Sequence, residues 1–272
     1  MKEALSMFLG PLAVIVGLVF LTPLGALFGD TSSAVAAVVF TTCVLGLQFL
    51  VVQHSSTSTV RTTQQLHIRR KVQHAGSGLL VVAGTFYASS VQVVIVLGCS
   101  AVAFYIITYL RKQYKVVNTT YLHVFGPILR QHEIAHRLPG AFWFLLGSAL
   151  SLAFFSKDVA QLSILHLSLG DPCASFFGIT LGHHSHKLAN GKTIAGVVGC
   201  FVVCLLTSIA FLALVDGPVA HGTTLATKGL VMVLAGLAGT LGEALSLGVD
   251  DNLSLPLVSG AAMSLIWHVL LL

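Results

Sequence analysis

Apolar runs alternate with short polar segments along the whole chain, and this alternation predicts membrane-spanning helices. A bilayer with a hydrocarbon core about 30 Å thick requires roughly 20 apolar residues per helix. Helices suit lipid because they pair their backbone N–H and C=O groups internally. About nine runs approach the required length, at 8–28, 34–52, 76–88, 91–110, 141–155, 159–181, 194–215, 229–247 and 255–272. The third and fifth runs are short, so the pattern predicts an all-α polytopic membrane protein with eight to nine transmembrane helices.

Composition strengthens this prediction and excludes a soluble fold. Hydrophobic residues make up 56% of the 272 residues, only 8% are charged, and the mean hydropathy is +0.93. Soluble globular domains carry roughly 25% charged residues. The sequence shows no internal repeat, low-complexity segment or linker that would divide the chain. We therefore expect a single transmembrane domain over residues 1–272.

The positive charges indicate an orientation in the membrane rather than a nucleic-acid partner. The formal net charge is +5, and the basic residues lie mostly in short polar segments between the apolar runs. Lysine and arginine in short loops tend to remain cytoplasmic. With nine spans and a cytoplasmic N-terminus, Lys157 and Lys228 alone among the 14 basic residues face the opposite side. The longest polar segments, 53–74 and 111–140, are expected to be loops.

Cysteine and histidine residues give weak support for a metal site. The five cysteines form no CxxC pair and lie mostly in apolar runs, so they are interpreted as small core residues. His183, His184 and His186 lie in a polar segment without a carboxylate or thiolate at ligand spacing. A solvated or phosphate-facing loop is the preferred interpretation of these histidines.

Four carboxylates are unusual for their position. Asp171 lies well inside the sixth run, Glu243 lies near the end of the eighth, and Asp250 and Asp251 follow one to two turns later. Ionisable residues within membrane spans are costly and commonly functional. The alternatives are a helix–helix hydrogen bond for Asp171 and a side chain that reaches the interface for Glu243.

The predicted topology brings these acids to the face that also holds the basic segments. Carboxylate oxygens suit Mg²⁺, which is often held by one or two carboxylates together with substrate phosphates. Nearby cations could bind those phosphates, and the candidates are Arg70, Lys71, Lys187 and Lys192. This combination at a membrane surface indicates phosphoryl or nucleotidyl transfer to a lipid.

Glycine-rich segments surround two of these residues. In Gly170-Asp171-Pro172-Cys173-Ala174, followed by Gly178 and Gly182, small residues would allow close approach of a backbone or ligand. Pro172 would loosen the helix beside Asp171. Asn190-Gly191-Lys192-Thr193 leads into a new helix whose N–H groups could face an anion. The GxxxxGK[ST] spacing of a Walker A loop is absent.

These motifs together resemble a known superfamily. The segment 170–174 with Gly178, Gly182, Lys187 and Lys192-Thr193-Ile194-Ala195-Gly196 is similar to the GDxxA…G…G…K…K[ST]xxG signature of CTP-dependent lipid kinases. Arg70-Lys71-Val72-Gln73-His74 and the segment from Asp250 to Pro256 resemble its RKxxH and DDNxxxP elements, in the same order. The likeness covers about 69–260 and is greatest to the diacylglycerol kinase branch, on the segments 130–133, 140–147, 154–158 and 243–245.

The resemblance implies an enzyme that transfers a phosphoryl group from CTP to diacylglycerol and so forms phosphatidate. It implies catalytic roles for Asp171, Asp250 and Asp251, and Mg²⁺ binding by these three and Glu243. It also implies nucleotide binding by Arg70, Lys71, Gly178, Gly182, Lys187, Lys192, Thr193 and Asn252. The expected setting is the endoplasmic reticulum membrane, with the active site facing the cytoplasm.

Other functions remain open at this point. On the same scaffold, the alternatives are a polyprenol, dolichol or phytol kinase and a phosphatidate cytidylyltransferase. From a different class, a proton- or cation-coupled transporter could use Asp171 and Glu243 as a relay. The lipid substrate is therefore diacylglycerol or a polyprenol, no nucleic-acid partner is expected, and the oligomeric state is unknown.

Overall fold

The computed structural model describes residues 67–125, 129–135, 137–215 and 224–271. These residues form helices and their connections, with one isolated bridge between Lys187 and Thr193. The all-α prediction is confirmed for this part of the chain. The predicted spans at 8–28 and 34–52 lie outside the described residues. The chain divides into two compact units, with the boundary between Phe142 and Trp143.

The first unit contains four described helices. They are α1 (Ile68–Tyr87), α2 (Ser90–Gln113), α3 (Lys115–Phe125) and α4 (Gln131–Ile134). Ser89 and Gln92 form a capping box at the start of α2, in which each side chain accepts the backbone N–H of the other residue. This arrangement satisfies two N–H groups that would otherwise lack partners at the helix terminus.

Two segments expected to be loops are partly helical, so this prediction was wrong. Helix α1 begins at Ile68 and carries Arg70 and Lys71 in its first turns, while α3 and α4 occupy much of 111–140. Hydropathy identifies long apolar runs. These two segments contain many polar residues, so they produce no such run. In addition, Arg111 and Lys112 lie in the last turn of α2, where positive charge interacts favourably with the helix dipole.

The second unit holds the longest continuous stretch of described chain. Its helices are α5 (Gly140–Phe154, which begins just before the boundary), α6 (Lys157–Leu165), α7 (Asp171–Thr180), α8 (Ile194–Leu214), α9 (Leu225–Ala244) and α10 (Asp251–Leu271). A π-helical turn, His166–Gly170, joins α6 to α7, and a 3₁₀ turn, Gly182–His184, follows α7. Helix α6, the π turn and α7 therefore form one continuous span, Lys157–Thr180.

Five helices in the described residues are long and apolar enough to cross a membrane. They are Ser90–Gln113, Lys157–Thr180, Ile194–Leu214, Leu225–Ala244 and Asp251–Leu270. Helix α5 is apolar but shorter. An integral membrane protein is thus supported, while the expected count of eight to nine spans is not confirmed.

The spans of the second unit reverse direction so that two polar segments meet at one end. Asn190, before α8, donates from Nδ2 to the carbonyl of Ala244 at 2.8 Å and to Oγ of Ser246 at 3.1 Å. Close packing also holds this end together, because a Cβ on Gly242 would lie 2.8 Å from the carbonyl oxygen of Leu255. Small residues permit this approach of α9 and α10.

Candidate active site

Lys192 lies at the centre of a charged cluster formed by three elements of the second unit. Its Nζ is 3.1 Å from Oε1 of Glu243, at the end of α9, and 3.2 Å from Oδ2 of Asp251, at the start of α10. It also donates to the backbone carbonyl of Glu243. Burial lowers the pKa of Lys192, but the charges of Glu243 and Asp251 outweigh this effect and leave the pKa above its ordinary value. The ammonium group is therefore charged at neutral pH.

Glu243 is the most enclosed acid of this cluster, with only 6% of its surface exposed. One carboxylate oxygen is bound by Lys192, whereas Oε2 is buried and has no hydrogen-bond partner among the described residues. The carboxylates of Asp171 and Asp251 are close enough to interact electrostatically with Glu243. The structure thus brings together three of the four predicted acids, and their catalytic and metal-binding roles remain predictions.

Asp171 follows directly after the π-helical turn and is the first residue of α7. Its backbone N–H donates to the carbonyl of Leu167. Pro172 has no N–H group and cannot complete the next helical hydrogen bond. Such π turns within α-helices occur frequently at functional sites. The expected loosening of the helix beside Asp171 therefore takes the form of a π turn before it.

Asp250 and Asp251 play different structural parts at the start of α10. Oδ1 of Asp250 accepts the N–H of Asn252 at 3.0 Å, and its carbonyl accepts the N–H groups of Leu253 and Ser254. Asp250 thus caps the helix, as aspartate commonly does. Asp251 directs its carboxylate to Lys192, and Asn252 is buried.

The polar segment before α8 forms a tight turn with Lys187 and Lys192 at its base. Lys187 pairs with Thr193 through the isolated bridge, and Gly191 takes a φ of 85° that favours glycine. The side chain of Lys187 is exposed, and so are those of His183 and His184. An exposed loop agrees with the preferred interpretation of these histidines.

Gly178 and Gly182 lie against Thr193. A Cβ on Gly178 would be 3.1 Å from Oγ1 of Thr193, and one on Gly182 would be 3.0 Å from its Cγ2. Thr193 also caps α8, because Oγ1 accepts the N–H of Gly196 at 3.1 Å. In the structure these glycines admit a threonine side chain at the start of α8, and their expected contact with substrate remains a prediction.

Arg70 and Lys71 belong to a basic group in the first unit. Burial lowers the pKa of His67, and the charges of Arg70, Lys71 and Arg130 lower it further. The three cations therefore lie close enough to act on one imidazole. Arg130 was not nominated as a phosphate ligand from the sequence, although it begins a segment that resembles diacylglycerol kinases.

Three known proteins are similar to this chain over most of its length, and each is named CTP-dependent diacylglycerol kinase 1. The protein of Saccharomyces cerevisiae is 30% identical over 212 residues, which make up 72% of this chain and 72% of the relative. That of Eremothecium gossypii is 30% identical over 72% of this chain and 66% of its own length. That of Schizosaccharomyces pombe is 28% identical over 73% and 93%, respectively.

The chain belongs to the CTP-dependent diacylglycerol kinase family. This confirms the resemblance found in the sequence motifs. No protein-family model and no solved structure matches the chain.

A kinase of this type needs charge neutralisation for the phosphates. Asp171, Glu243 and Asp251 supply carboxylate oxygens of the kind that divalent cations prefer. The buried Oε2 of Glu243 lacks a donor in the described structure, and the neighbouring groups are hard oxygen ligands. No three His, Cys, Asp or Glu side chains in the described part of the chain form a ready-made metal cluster. A bound Mg²⁺ would thus take further ligands from substrate phosphates or water, as is common for this ion.

Two features of this kinase family member were not predicted from the sequence. The first is the side chain of Asn190, which connects the loop to the end of α9 through the carbonyl of Ala244. The second is the buried pair His166 and Ser208, whose Nε2 and Oγ atoms are 3.0 Å apart. For His166 and Ser208 the available signal was a polar residue inside an apolar run, a pattern that usually has a packing or functional reason. Asn190 lies in a polar segment and carried no such signal.

Proposed function

We propose that this chain is a membrane enzyme that transfers the γ-phosphoryl group of CTP to the hydroxyl of diacylglycerol, giving phosphatidate. The observation that carries the proposal is the Lys192–Glu243–Asp251 cluster, with the charge of Asp171 beside it. The names of three relatives support the donor and the lipid acceptor. The cluster lies where three spanning helices begin or end, so a soluble nucleotide can meet a membrane lipid there.

The reaction forms a bond between the lipid hydroxyl oxygen and the γ-phosphorus. The bond between that phosphorus and the bridging oxygen breaks, CDP leaves, and the hydroxyl proton passes to a base. Asp171, Asp250 and Asp251 are the proposed catalytic carboxylates. Phosphoryl transfer depends mainly on positioning and charge stabilisation. A half-buried acid such as Asp171 can hold the lipid hydroxyl and receive its proton.

Binding of the nucleotide is assigned to basic and small residues. The proposed phosphate ligands are Arg70 and Lys71 in the first unit and Lys187 in the second. The proposed nucleotide-binding residues of the second unit are Gly178, Gly182, Thr193 and Asn252. Lys192 contributes positive charge to the same site while it holds Glu243 and Asp251 in place. Mg²⁺, held by one or two of the carboxylates Asp171, Glu243, Asp250 and Asp251 together with substrate phosphates, would neutralise phosphate charge.

The proposal extends to the whole chain as one catalytic domain with eight to nine spans. It places the active site on the cytoplasmic face of the endoplasmic reticulum membrane. Single cysteines at Lys187 and Ser246 should react with an impermeant thiol reagent from the same side, and one at Lys157 from the opposite side. The background protein would carry no other accessible cysteine. Labelling of all three positions from one side would contradict the alternation of spans.

The test of the enzymatic proposal is transfer of label from γ-labelled CTP to a panel of diacylglycerol, dolichol and phytol. Labelled phosphatidate is expected, whereas a cytidylyltransferase would release labelled pyrophosphate. Asp171→Asn should lower the rate by about 10²-fold or more, the range found when one group that stabilises a transition state is removed. Asp158→Asn is the matched control, because Asp158 lies on the same span but its Oδ2 accepts from the indole of Trp267 at 2.9 Å. Equal activity of the two variants would refute the role of Asp171.

A further inference from the structure

A buried histidine lies one turn before Asp171, within the π-helical turn. His166 has no exposed surface, and its Nε2 lies 3.0 Å from Oγ of Ser208 on α8. The hydroxyl proton of Ser208 goes to the carbonyl of Cys204, at 2.8 Å. Because the Ser208 hydroxyl donates its proton to Cys204, its oxygen accepts a hydrogen bond from Nε2–H of His166. This fixes the tautomer of the imidazole and joins two spans.

The imidazole fits only because the facing position on α9 is a glycine. A Cβ on Gly239 would lie 2.7 Å from both Cγ and Nδ1 of His166. Nδ1 is buried and has no hydrogen-bond partner among the described residues. Burial of that nitrogen without a partner is unfavourable, because its interaction with water is lost and not replaced. A ring that is held in a slot at such a cost points to a function other than packing, since a phenyl ring would fill the space without this penalty.

The last residue of the π turn, Gly170, packs closely against α8, the helix that carries Ser208. A Cβ on Gly170 would lie 2.8 Å from Sγ of Cys204 and 3.2 Å from Sγ of Cys200, and both cysteines are fully buried. The turn His166–Gly170 is thus fixed at its first residue by a hydrogen bond and at its last by close packing. Asp171 follows at once.

The π turn sets the direction of the Asp171 side chain. One extra residue in a helix rotates the later residues by about 100°, because an α-helix has about 3.6 residues per turn. A carboxylate about 5 Å from the helix axis would move by roughly 8 Å if the turn relaxed to an α-helix. That displacement exceeds hydrogen-bond reach and would remove Asp171 from Glu243.

We infer that His166 is a positioning residue for the phosphoryl transfer: through Ser208 and the slot at Gly239, it holds the π turn that aims Asp171 at the carboxylate cluster. This inference rests on the proposed function for its catalytic consequence. The hydrogen bond and the slot act on Asp171 through the backbone. We therefore expect them to affect the rate of phosphoryl transfer and not the affinity for substrate.

The test compares His166→Phe, His166→Gln and Ser208→Ala in steady-state kinetics and backbone hydrogen exchange. His166→Phe should lower kcat by about 10- to 100-fold, as misplacement of a reacting group commonly does, with KM for CTP unchanged. His166→Gln keeps an N–H donor and should recover much of kcat. Exchange at residues 166–171 should become faster in His166→Phe. Thr240→Val is the matched control, because this buried hydroxyl donates to Gly236 within its own helix and should affect neither measurement.

Two results would overturn the inference: an unchanged kcat in His166→Phe, or unchanged exchange at residues 166–171. If His166→Phe fails to fold, Ser208→Ala decides, because it removes the hydrogen-bond acceptor of His166 while the imidazole stays in place, and it must lower kcat in the same sense. The double variant His166→Phe/Ser208→Ala should have a kcat close to that of His166→Phe, since both changes remove the bond between His166 and Ser208. Failure of the unaltered protein to label diacylglycerol would refute the proposed function, while hydrogen exchange still reports on the π turn.

Discussion

Replacement of Lys192 by methionine tests the charge balance of the cluster. The variant keeps a long apolar side chain but leaves the carboxylate of Glu243 buried without its cation. At 3.1 Å, the attraction between Lys192 and Glu243 amounts to about 5 kcal/mol with an effective dielectric constant of about 20. Desolvation offsets part of it, and loss of one partner from a buried pair typically costs about 3–5 kcal/mol.

The contact with Asp251 adds little to this energy. The Asp251 side chain is 35% exposed, and ion pairs open to solvent contribute about 0–1 kcal/mol. We therefore expect Lys192→Met to lower the free energy of unfolding by about 3 kcal/mol, which corresponds to a decrease in Tm of roughly 6–12 °C for a chain of this size. A decrease of this size would be easy to measure.

The assay follows thermal unfolding in detergent with a dye that becomes fluorescent on reaction with thiols. Cys200 and Cys204 are fully buried and report unfolding when they become accessible, in a background that lacks the exposed Cys99 as well as Cys43 and Cys173. Lys187→Met is the matched control, since Lys187 is an exposed lysine in the same loop. Adding Glu243→Gln to Lys192→Met should restore about 2 kcal/mol or more, because the buried charge is then removed. Equal loss of stability in both lysine variants, or no restoration by the second substitution, would refute this charge balance.

Two further predictions concern packing and pH. Gly196→Ala should lower the free energy of unfolding by about 1–3 kcal/mol, because its Cβ would lie 2.8 Å from the carbonyl oxygen of Ala174. Gly98→Ala, with no atom within 4 Å of the added Cβ, should be neutral or stabilising in the same melting assay; equal losses would contradict this account. The pKa of His67 is lowered in the folded chain, so the unfolded chain binds more protons and stability should fall as pH decreases below about 6.5. His67→Gln should weaken this decrease between about pH 7.5 and 5.5, and an identical pH profile in both proteins would argue against the basic group around His67.

Much of the helical framework could be predicted from the sequence, because apolar length is a local property. The predicted run 194–215 matches α8, Ile194–Leu214, almost to the residue. The run 255–272 begins four residues later than α10, Asp251–Leu271, because the first turn of that helix is polar and is capped by Asp250. Hydropathy identifies the apolar part of a helix. It gives less information on the residue at which the helix begins, because the first turn can be polar.

The candidate acids were also identifiable from the sequence. Asp171 and Glu243 lie in apolar runs, where a charge is costly enough to require a reason. In the second unit, Glu243 and Asp251 lie at the ends of consecutive helices, whereas Asp171 lies within a span. The basic group on α1 was found as a motif, but its helical conformation was not, since polar helices produce no apolar run.

The partners of each side chain were decided by the tertiary structure. Sequence analysis assigned Lys192 to phosphate, whereas in the folded chain Glu243 and Asp251 surround its ammonium group, 51 and 59 residues away. The pairing of His166 with Ser208, and the slot at Gly239, likewise depend on which faces of three helices meet. Hydrophobicity determines that helices enter the membrane, because it acts on each segment separately. Contacts between polar groups depend on the rotation and spacing of packed helices, and these are properties of the whole fold.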